Sequence, residues 1–597
     1  MNEKPLTNEF DLGDAFPALE TTALPTAFLM DEQDLERARM PAPGYGDPET
    51  VAPNPLDMPF RCLGYNGDFC YYMTQGWKQV RPVKMAQHTA GELQVLAPLR
   101  YWERNFSGTN GISWKSAANT LLRICERIGV YDPFQQRGLG AWLDKGRCVL
   151  HLGDRLLVDG QEVNLFDFQS RYTYQAAKKI DHLNIPPLDK HTANRFQKIV
   201  DSLNWKKPEH AKLFAGWCVM AIIGGALKHR PHLWLTAKPG AGKTWVMEEI
   251  LKPVLGDFAL PFSANVTEAA LRQTMGNNAL AILIDEFEGA DQAALDRVQN
   301  ILGFARMAFS ETSAPIAKGG QNHQPVIFQA RSPFFMSSVG VNLYQHADET
   351  RVSVVFLEEP FDRPGLTADQ HFDRLKAEVK ETLTPEYCAA FRLRVIKMIP
   401  IIQQNIDAFE LAVGKKLHNR RSGDRLGALL AGAFSLTSDN EITAEFASKW
   451  TEGQNWEEQI EVGNSSDERD LLKFIQTFSI ETDSRRSRTV AQLLRTCCNS
   501  SLFVESEELV DPDVSLLEAD GVLRRTGIKL DLKSNDILVA MAHPVIKKML
   551  SPTPWKISYG RTLQRLDKDI RTTTATPFAG SRHRALIIPW AVFFDEK

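Results

Sequence analysis

The chain has 597 residues and a net charge of −5, with 43% hydrophobic and 24% charged residues. These ordinary globular proportions exclude a collagen-like, coiled-coil or wholly disordered protein. Eight cysteines with no CxxC spacing exclude a disulfide-stapled scaffold, and no zinc site is expected from them.

At about 150 residues per domain, three or four domains are expected. Residues 1–59 read as an acidic, Pro-rich disordered tail. The first 60 residues hold 12 acids, three bases and nine prolines, too little apolar surface to offset the entropy of ordering. Such a tail is either a solvated leader, a docking segment for another protein or an acidic mimic of DNA. The N-terminus has no basic region ahead of an apolar core, so no signal peptide is expected. The longest apolar run, Phe214 to Leu227, is too short to span a bilayer and reads as a buried helix. An intracellular, cytoplasmic protein with no membrane partner is therefore expected.

Residues 60–185 read as a small N-terminal α+β domain. Strands are expected at Phe60–Leu63, Phe69–Met73 and Leu93–Leu99. An amphipathic helix follows at Ser113–Ile128. Two further strands, Cys148–Leu152 and Arg155–Val158, are joined by a Gly153-Asp154 turn. Residues 186–230 form a helical collar. From Leu233 the apolar stretches LWLTA, ALAILID, SPFFMSSV and RVSVVFLE alternate with helical segments. That pattern implies an α/β core over 231–365, with a parallel sheet covered on both faces. Residues 366–464 read as a helical lid region. Residues 465–597 mix helices with a hairpin (GIKLDL and DILVAMA, turning at Lys533-Ser534-Asn535), which suggests a basic winged-helix-like C-terminal domain. From Lys547 to Trp590 there are nine bases and two acids, interleaved with Trp555, Tyr559, Phe578 and His583. Cations release counterions from phosphate and aromatic faces stack bases, so this stretch is a candidate nucleic-acid surface.

The chemistry is concentrated in Ala237-Lys238-Pro239-Gly240-Ala241-Gly242-Lys243-Thr244, which follows an apolar strand and precedes a helical run. This is a phosphate-binding P-loop in its strand–loop–helix context. The glycines let successive N–H groups point at phosphates, and the helix presents its positive end to the same anion. Lys243 reaches the β- and γ-phosphates of ATP, and Thr244 offers its hydroxyl to Mg²⁺. Ala237 stands where many such loops carry glycine. Downstream, ALAILIDE is an apolar strand ending in two acids. Asp285 would hold Mg²⁺, and Glu286 would polarise the attacking water. Glu288 is read as a surface acid.

The order of P-loop, apolar strand with Asp-Glu, Gly/Lys-containing loop, second apolar strand and Arg before a further strand resembles the superfamily 3 helicases of the AAA+ class. It is most similar to the helicase modules of phage and plasmid primase-helicases, over residues 190–460. The resemblance implies an AAA+ P-loop ATPase core in a homo-oligomeric ring, expected to be a hexamer, acting on single-stranded or forked DNA in a bacterial host cell. It makes Ser338 the polar sensor, although the family usually has Asn and the nearest one here is Asn342. It makes Arg351 the arginine finger that reaches the neighbouring subunit's γ-phosphate. SAPIAKGGQNHQPVIF resembles the hairpin that enters the ring channel, with Gly319-Gly320 at its tip and Lys318 and His323 on DNA phosphate. Arg306 is a further candidate phosphate-facing base, and Arg420, Arg421 and Arg425 are candidates for a lid contact. The expected function is an ATP-dependent DNA helicase or translocase for replication of a phage or mobile element. The alternative is an ATPase loader or scaffold that remodels a replication or defence partner. No primase carboxylate cluster is found in 1–190, so priming would belong to a separate chain recruited by the acidic tail.

Overall fold

The structure is a computed structural model that describes residues 58–181, 185–289, 291–313, 316–319, 325–341, 343, 345–452, 467–498, 514–551, 553, 555–556, 558–566, 570–573 and 575–594. The expected acidic tail lies outside these residues except for Met58 and Pro59. So do Gly320, His323 and Asn342. The chain folds into two compact units. The first comprises the described parts of residues 1–184, 275–279 and 314–329, and the second those of 185–274, 280–313 and 330–597.

The first unit begins with an antiparallel meander of Phe60–Asn66, Phe69–Thr74 and Val80–Lys84. The helix Trp114–Ile128 buries Ala117, Leu121 and Cys125, whose four-residue spacing keeps them on one face. They join Phe60, Tyr72 and Trp102 in one core. Residues Leu93–Leu99 are not a strand. They form the end of the helix Ala90–Leu96 and the start of the helix Leu99–Asn105. Thr89 caps the first by accepting from the Glu92 amide, and Leu93 and Leu96 are buried one turn apart. Pro98 separates the two helices, a position where its ring is tolerated. A four-stranded antiparallel sheet follows, in the order Gln161–Val163, Leu156–Val158, Arg147–His151, Gly140–Asp144. Ile316–Gly319 and Pro325–Phe328 pair as an antiparallel hairpin, with Lys318 opposite Val326.

The second unit is built on a mixed α/β core with a five-stranded parallel sheet. Its strands are β1 (His232–Ala237), β2 (Ala259–Phe262), β3 (Ala281–Ile284), β4 (Phe334–Ser338) and β5 (Val352–Leu357), in the order β2-β3-β4-β1-β5. All four pairings are parallel. Every residue of β1, β3 and β4 is buried, which is why these strands read as unbroken apolar runs. β2 was not expected. It is an edge strand containing Pro261, a residue that edge positions tolerate but that hides a strand from pattern reading.

Three helices of this unit matter below: α1 (Pro208–Ile222), α2 (Ile399–Lys416) and α3 (Arg420–Ser435). α1 carries most of the longest apolar run and is buried from Ala211 onward except at Lys212. Among the described residues, no helix is long and apolar enough to cross a membrane.

The C-terminal part of the second unit starts with the helix Asp467–Thr477, the hairpin Ser479–Glu481/Ser487–Thr489 and the helices Val490–Cys497 and Leu516–Thr526. The expected hairpin pairs Ile528–Asp531 with Asp536–Ala540, and Asn535 adopts a left-handed φ of 58° at the turn. Two strands not expected from sequence, Ala585–Pro589 and Arg571–Thr572, extend it to four.

Candidate functional site

The two structurally distinctive loops of the α/β core leave the carboxyl ends of β1 and β3. This end of a parallel sheet is where open α/β folds place their ligands. Beyond Ala237 the chain turns through Gly240 and Gly242, with φ of 85° and 95°. A side chain would be strained there, so glycine is required by conformation. Gly242 directly precedes a helical segment that runs from Lys243 through a π-helical stretch, Val246–Leu251, to Leu255. Val246, Met247, Ile250 and Leu251 are buried, which anchors the loop to the core.

Asp285 and Glu286 follow β3. The Asp285 Oδ1 accepts from the Glu286 amide at 2.9 Å, and the Glu288 amide donates to the Glu286 carbonyl at 2.8 Å. This tight turn holds Glu286 at φ 54°, a region costly for a residue with a Cβ. Phe287, between the acids, is buried against Trp234 with ring centroids 5.3 Å apart. The turn therefore sends its acids outward while its aromatic residue locks it to β1.

The β4 end completes the site. Ser338 Oγ accepts from Trp234 Nε1 at 2.7 Å and donates to the Gly340 carbonyl. The Val339 and Gly340 amides both donate to Glu288 Oε2 at 3.2 Å. Glu288 is exposed, as its surface reading implied, but it is also a bracket between the β3 and β4 ends. Sequence offered no signal for this, because its partners are backbone amides 51 and 52 residues away.

A cleft of about 630 Å³ is lined by Pro239, Gly240, Gly242, Lys243, Thr244, Asp285, Glu286, Glu288 and Ser338, among others. Lys243 Nζ donates to the Ala237 carbonyl at 2.7 Å. Burial pulls the Lys243 pKa below its usual value, opposed by Glu288 and then Asp285. A cation, two glycine-shaped turns, a hydroxyl and three carboxylates thus face one space. Thr244 and Asp285 offer the hard oxygen donors that suit Mg²⁺, so the donor set fits that ion. Lys238 is exposed and lies 3.7 Å from Glu359.

Arg351 lies elsewhere. β1 and β5 pair in register from His232↔Val352 to Ala237↔Leu357. Arg351 therefore precedes the end opposite the cleft, separated from it by about 17 Å of strand. Its Nη1 donates to the Ala347 carbonyl at 2.7 Å, and its guanidinium lies 5.8 Å from the Phe309 ring centre. Burial lowers its pKa, and so do the nearby charges of Arg421 and Arg306.

Two arginine expectations need correction. Arg306 is paired with the fully buried Asp348 at 3.0 Å and hydrogen-bonds Gln345, so it is committed to this corner of the fold. Arg425 is 1% exposed and donates to the Glu349 and Val352 carbonyls. It fastens α3 to the start of β5 and cannot serve as a solvent-facing lid contact. Arg420 and Arg421 are exposed.

The C-terminal aromatic residues also divide. Tyr559 and Phe578 are buried core residues. The Tyr559 hydroxyl donates to the Ala540 carbonyl at 2.7 Å and accepts from the His543 amide at 2.8 Å. Neither ring can stack a base. Trp555 and His583 are half-buried, whereas Lys547, Lys548, Lys556, Arg561, Arg565, Arg571, Arg582 and Arg584 are all exposed.

The class defined so far is a mixed α/β protein with a polar cleft at the carboxyl ends of a parallel sheet. No protein-family model matches the chain, and no curated protein matches it. Solved structures of the NrS-1 C-terminal region are similar in part. The apo structure of residues 305–718 matches with a TM-score of 0.34 and 11% identity, covering 89% of this chain and 96% of that one. The A-form apo structure matches at 0.32 with 11% identity and the same coverage. At these scores the likeness supports neither a family nor a function.

Proposed function

We propose that the chain is an ATP-dependent, ring-forming DNA helicase or translocase with an AAA+ P-loop core, acting in replication of a phage or mobile element. One observation carries the ATPase reading: Lys243, Thr244, Asp285 and Glu286 converge on a single cleft at the carboxyl ends of parallel strands. The loop amides and Lys243 would bind the triphosphate. Thr244 and Asp285 would hold Mg²⁺, which when bound neutralises phosphate charge. Glu286 would orient and polarise the attacking water. Glu288 and Ser338 would keep the β3 and β4 ends in register around that water.

The distance of Arg351 from its own chain's cleft supports a role toward a neighbouring subunit, as the resemblance to superfamily 3 helicases implies. The exposed bases of the C-terminal part support DNA contact through phosphate. Lys318 would contribute to the channel hairpin. His323 is assigned there by sequence alone.

The test pairs ATP turnover with strand displacement on a forked duplex. Wild type should do both, Lys243→Ala neither, and Glu286→Gln should bind ATP without turning it over. ATP turnover with no strand separation would favour a loader or scaffold that remodels a protein partner.

A further inference from the structure

A second cluster of chemistry-bearing side chains lies away from the cleft. His229, on the segment leading into β1, meets Glu410 of α2 and Asp424 of α3. Nδ1 of His229 is 3.4 Å from Glu410 Oε1 and 4.0 Å from Asp424 Oδ1. One donor atom from each of the three lies within 4.8 Å of the other two. The side chains are only 15%, 15% and 17% exposed.

The charge balance is unusual. Two largely buried carboxylates converge, and among the described residues neither has a Lys or Arg within ion-pair distance. Like charges drawn together out of water are costly unless a cation sits between them. Elsewhere in this unit the fully buried Asp348 has Arg306 as such a partner, and even the half-buried Glu311 has Arg230 and Arg331.

The three groups are also held firmly. The His229 ring stacks on Phe309 at 5.5 Å and 19°, and its backbone bridges to Ser310. α3 approaches α2 closely at Glu410. A Cβ on Gly423 would come within 2.5 Å of the Glu410 carbonyl oxygen, and one on Gly427 within 2.8 Å of the Glu410 Cγ. Next to Asp424, Arg425 pins α3 to the Glu349 and Val352 carbonyls. The entry of β1 and the two consecutive helices α2 and α3 thus present one imidazole nitrogen and two carboxylate oxygens from a rigid frame.

We propose that His229, Glu410 and Asp424 form a binding site for a divalent transition-metal ion of the Zn²⁺ class, distinct from the Mg²⁺ position at the cleft. An imidazole nitrogen with two carboxylates is a zinc-type donor set, whereas Mg²⁺ prefers oxygen alone. Ligand bonds of about 2.0–2.2 Å place tetrahedral ligands about 3.3 Å apart. His229 and Glu410 already have that spacing, and rotation of the Asp424 side chain closes the third side. The fourth position is left to water. The ion would clasp α2 and α3 to the entry of β1, independently of whether the cleft hydrolyses ATP.

The test uses the full chain, stripped with chelator and desalted, then titrated with Zn²⁺ and with Co²⁺. Wild type should take up one equivalent more than Glu410→Gln or Asp424→Asn, and the difference Co²⁺ spectrum should lack thiolate charge-transfer bands, which separates this site from cysteine binding. Zn²⁺ should raise the Tm of wild type and leave that of both variants unchanged. In chelator the order should invert: each variant melts no lower than wild type, because one of the two facing charges is gone. Equal uptake by all three proteins, or wild type binding no Co²⁺ through nitrogen and oxygen ligands, overturns the proposal even if a variant fails to fold.

Discussion

Arg351 and Thr244 stand beyond opposite ends of the same pair of parallel strands, β5 and β1, which run in register from His232↔Val352 to Ala237↔Leu357. No side chain can bridge that separation within one molecule. Arg351→Ala should therefore leave nucleotide affinity within about threefold while reducing ATP turnover by about a thousandfold, the usual scale for a lost arginine finger. Mixing it with Lys243→Ala protein should restore part of the turnover, because each supplies what the other lacks. Undiminished turnover by the Arg351 variant alone would refute a role between subunits.

The loop before Lys243 tests the backbone rather than a side chain. Gly242 has φ 95°, and nothing lies within 4 Å of where a Cβ would stand. Gly242→Ala meets no steric obstacle, so its effect comes from the left-handed conformation, about 1–2 kcal/mol. If that conformation cradles phosphate, nucleotide affinity should fall about tenfold or more, with little change in Tm. A fluorescent-nucleotide titration beside a melting curve checks both.

What could be read from sequence follows from periodicity and motif. β1, β3 and β4 were legible because strands buried on both faces are largely apolar runs, and the edge strand β5 because it is rich in Val and Phe. β2 was hidden by Pro261, and Leu93–Leu99 misled because a short apolar run suits a strand or a helix, although the three-residue spacing of Leu93 and Leu96, the Thr89 cap and Pro98 all favour helices. Lys243, Thr244, Asp285 and Glu286 lie in local patterns, so their meeting could be anticipated. Arg425 could not be told from an exposed arginine, since its partners are the backbone carbonyls of Glu349 and Val352. The triad of His229, Glu410 and Asp424 joins the entry of β1 to two consecutive helices far downstream and has no linear signature.

Glu288 separates positioning from binding. Its carboxylate accepts from the Val339 and Gly340 amides, bracing the Ser338 loop against the acid turn. Glu288→Ala should lower kcat about tenfold with KM for ATP nearly unchanged, the pattern of an interaction that matters for turnover more than for ground-state binding. Glu288→Gln retains an acceptor and should recover most of the rate. A large rise in KM in both variants would mean that Glu288 contacts the nucleotide instead.

In the C-terminal part, structure and DNA contact should be separable. Tyr559→Phe loses hydrogen bonds to the Ala540 carbonyl and from the His543 amide, and should destabilise by about 1–3 kcal/mol without changing DNA affinity in the folded protein. Lys548→Ala, Arg561→Ala and Arg582→Ala remove exposed charges. Each one that contacts phosphate should reduce the log–log salt slope of DNA binding by about one, with Tm unaltered. Anisotropy titrations across a salt series give the slopes. Unchanged slopes in all three variants would remove this surface from the DNA-binding reading.

His232 makes the parallel sheet sensitive to acid. It is fully buried at the start of β1; its Nε2 donates to the Ala305 carbonyl at 2.8 Å, which leaves Nδ1 to accept from the Phe334 amide at 3.1 Å. The bond from the Phe334 amide needs the neutral ring, because a protonated Nδ1 cannot accept. Burial pushes its pKa down to about 3, with Arg351 and Arg230 adding to the drop and the bond to Ala305 opposing it. The unfolded chain then binds the proton more readily than the folded one. The contribution to stability is complete above the unfolded value of about 6.5 and is lost progressively as pH falls toward 3. At about 1.4 kcal/mol per pKa unit, the loss reaches a few kcal/mol at the acid end. His232→Asn should melt lower than wild type at neutral pH, because it fits the two partners less well, yet lose less Tm between pH 6.5 and 4. Parallel Tm-versus-pH curves for the two proteins would assign the acid sensitivity to other groups.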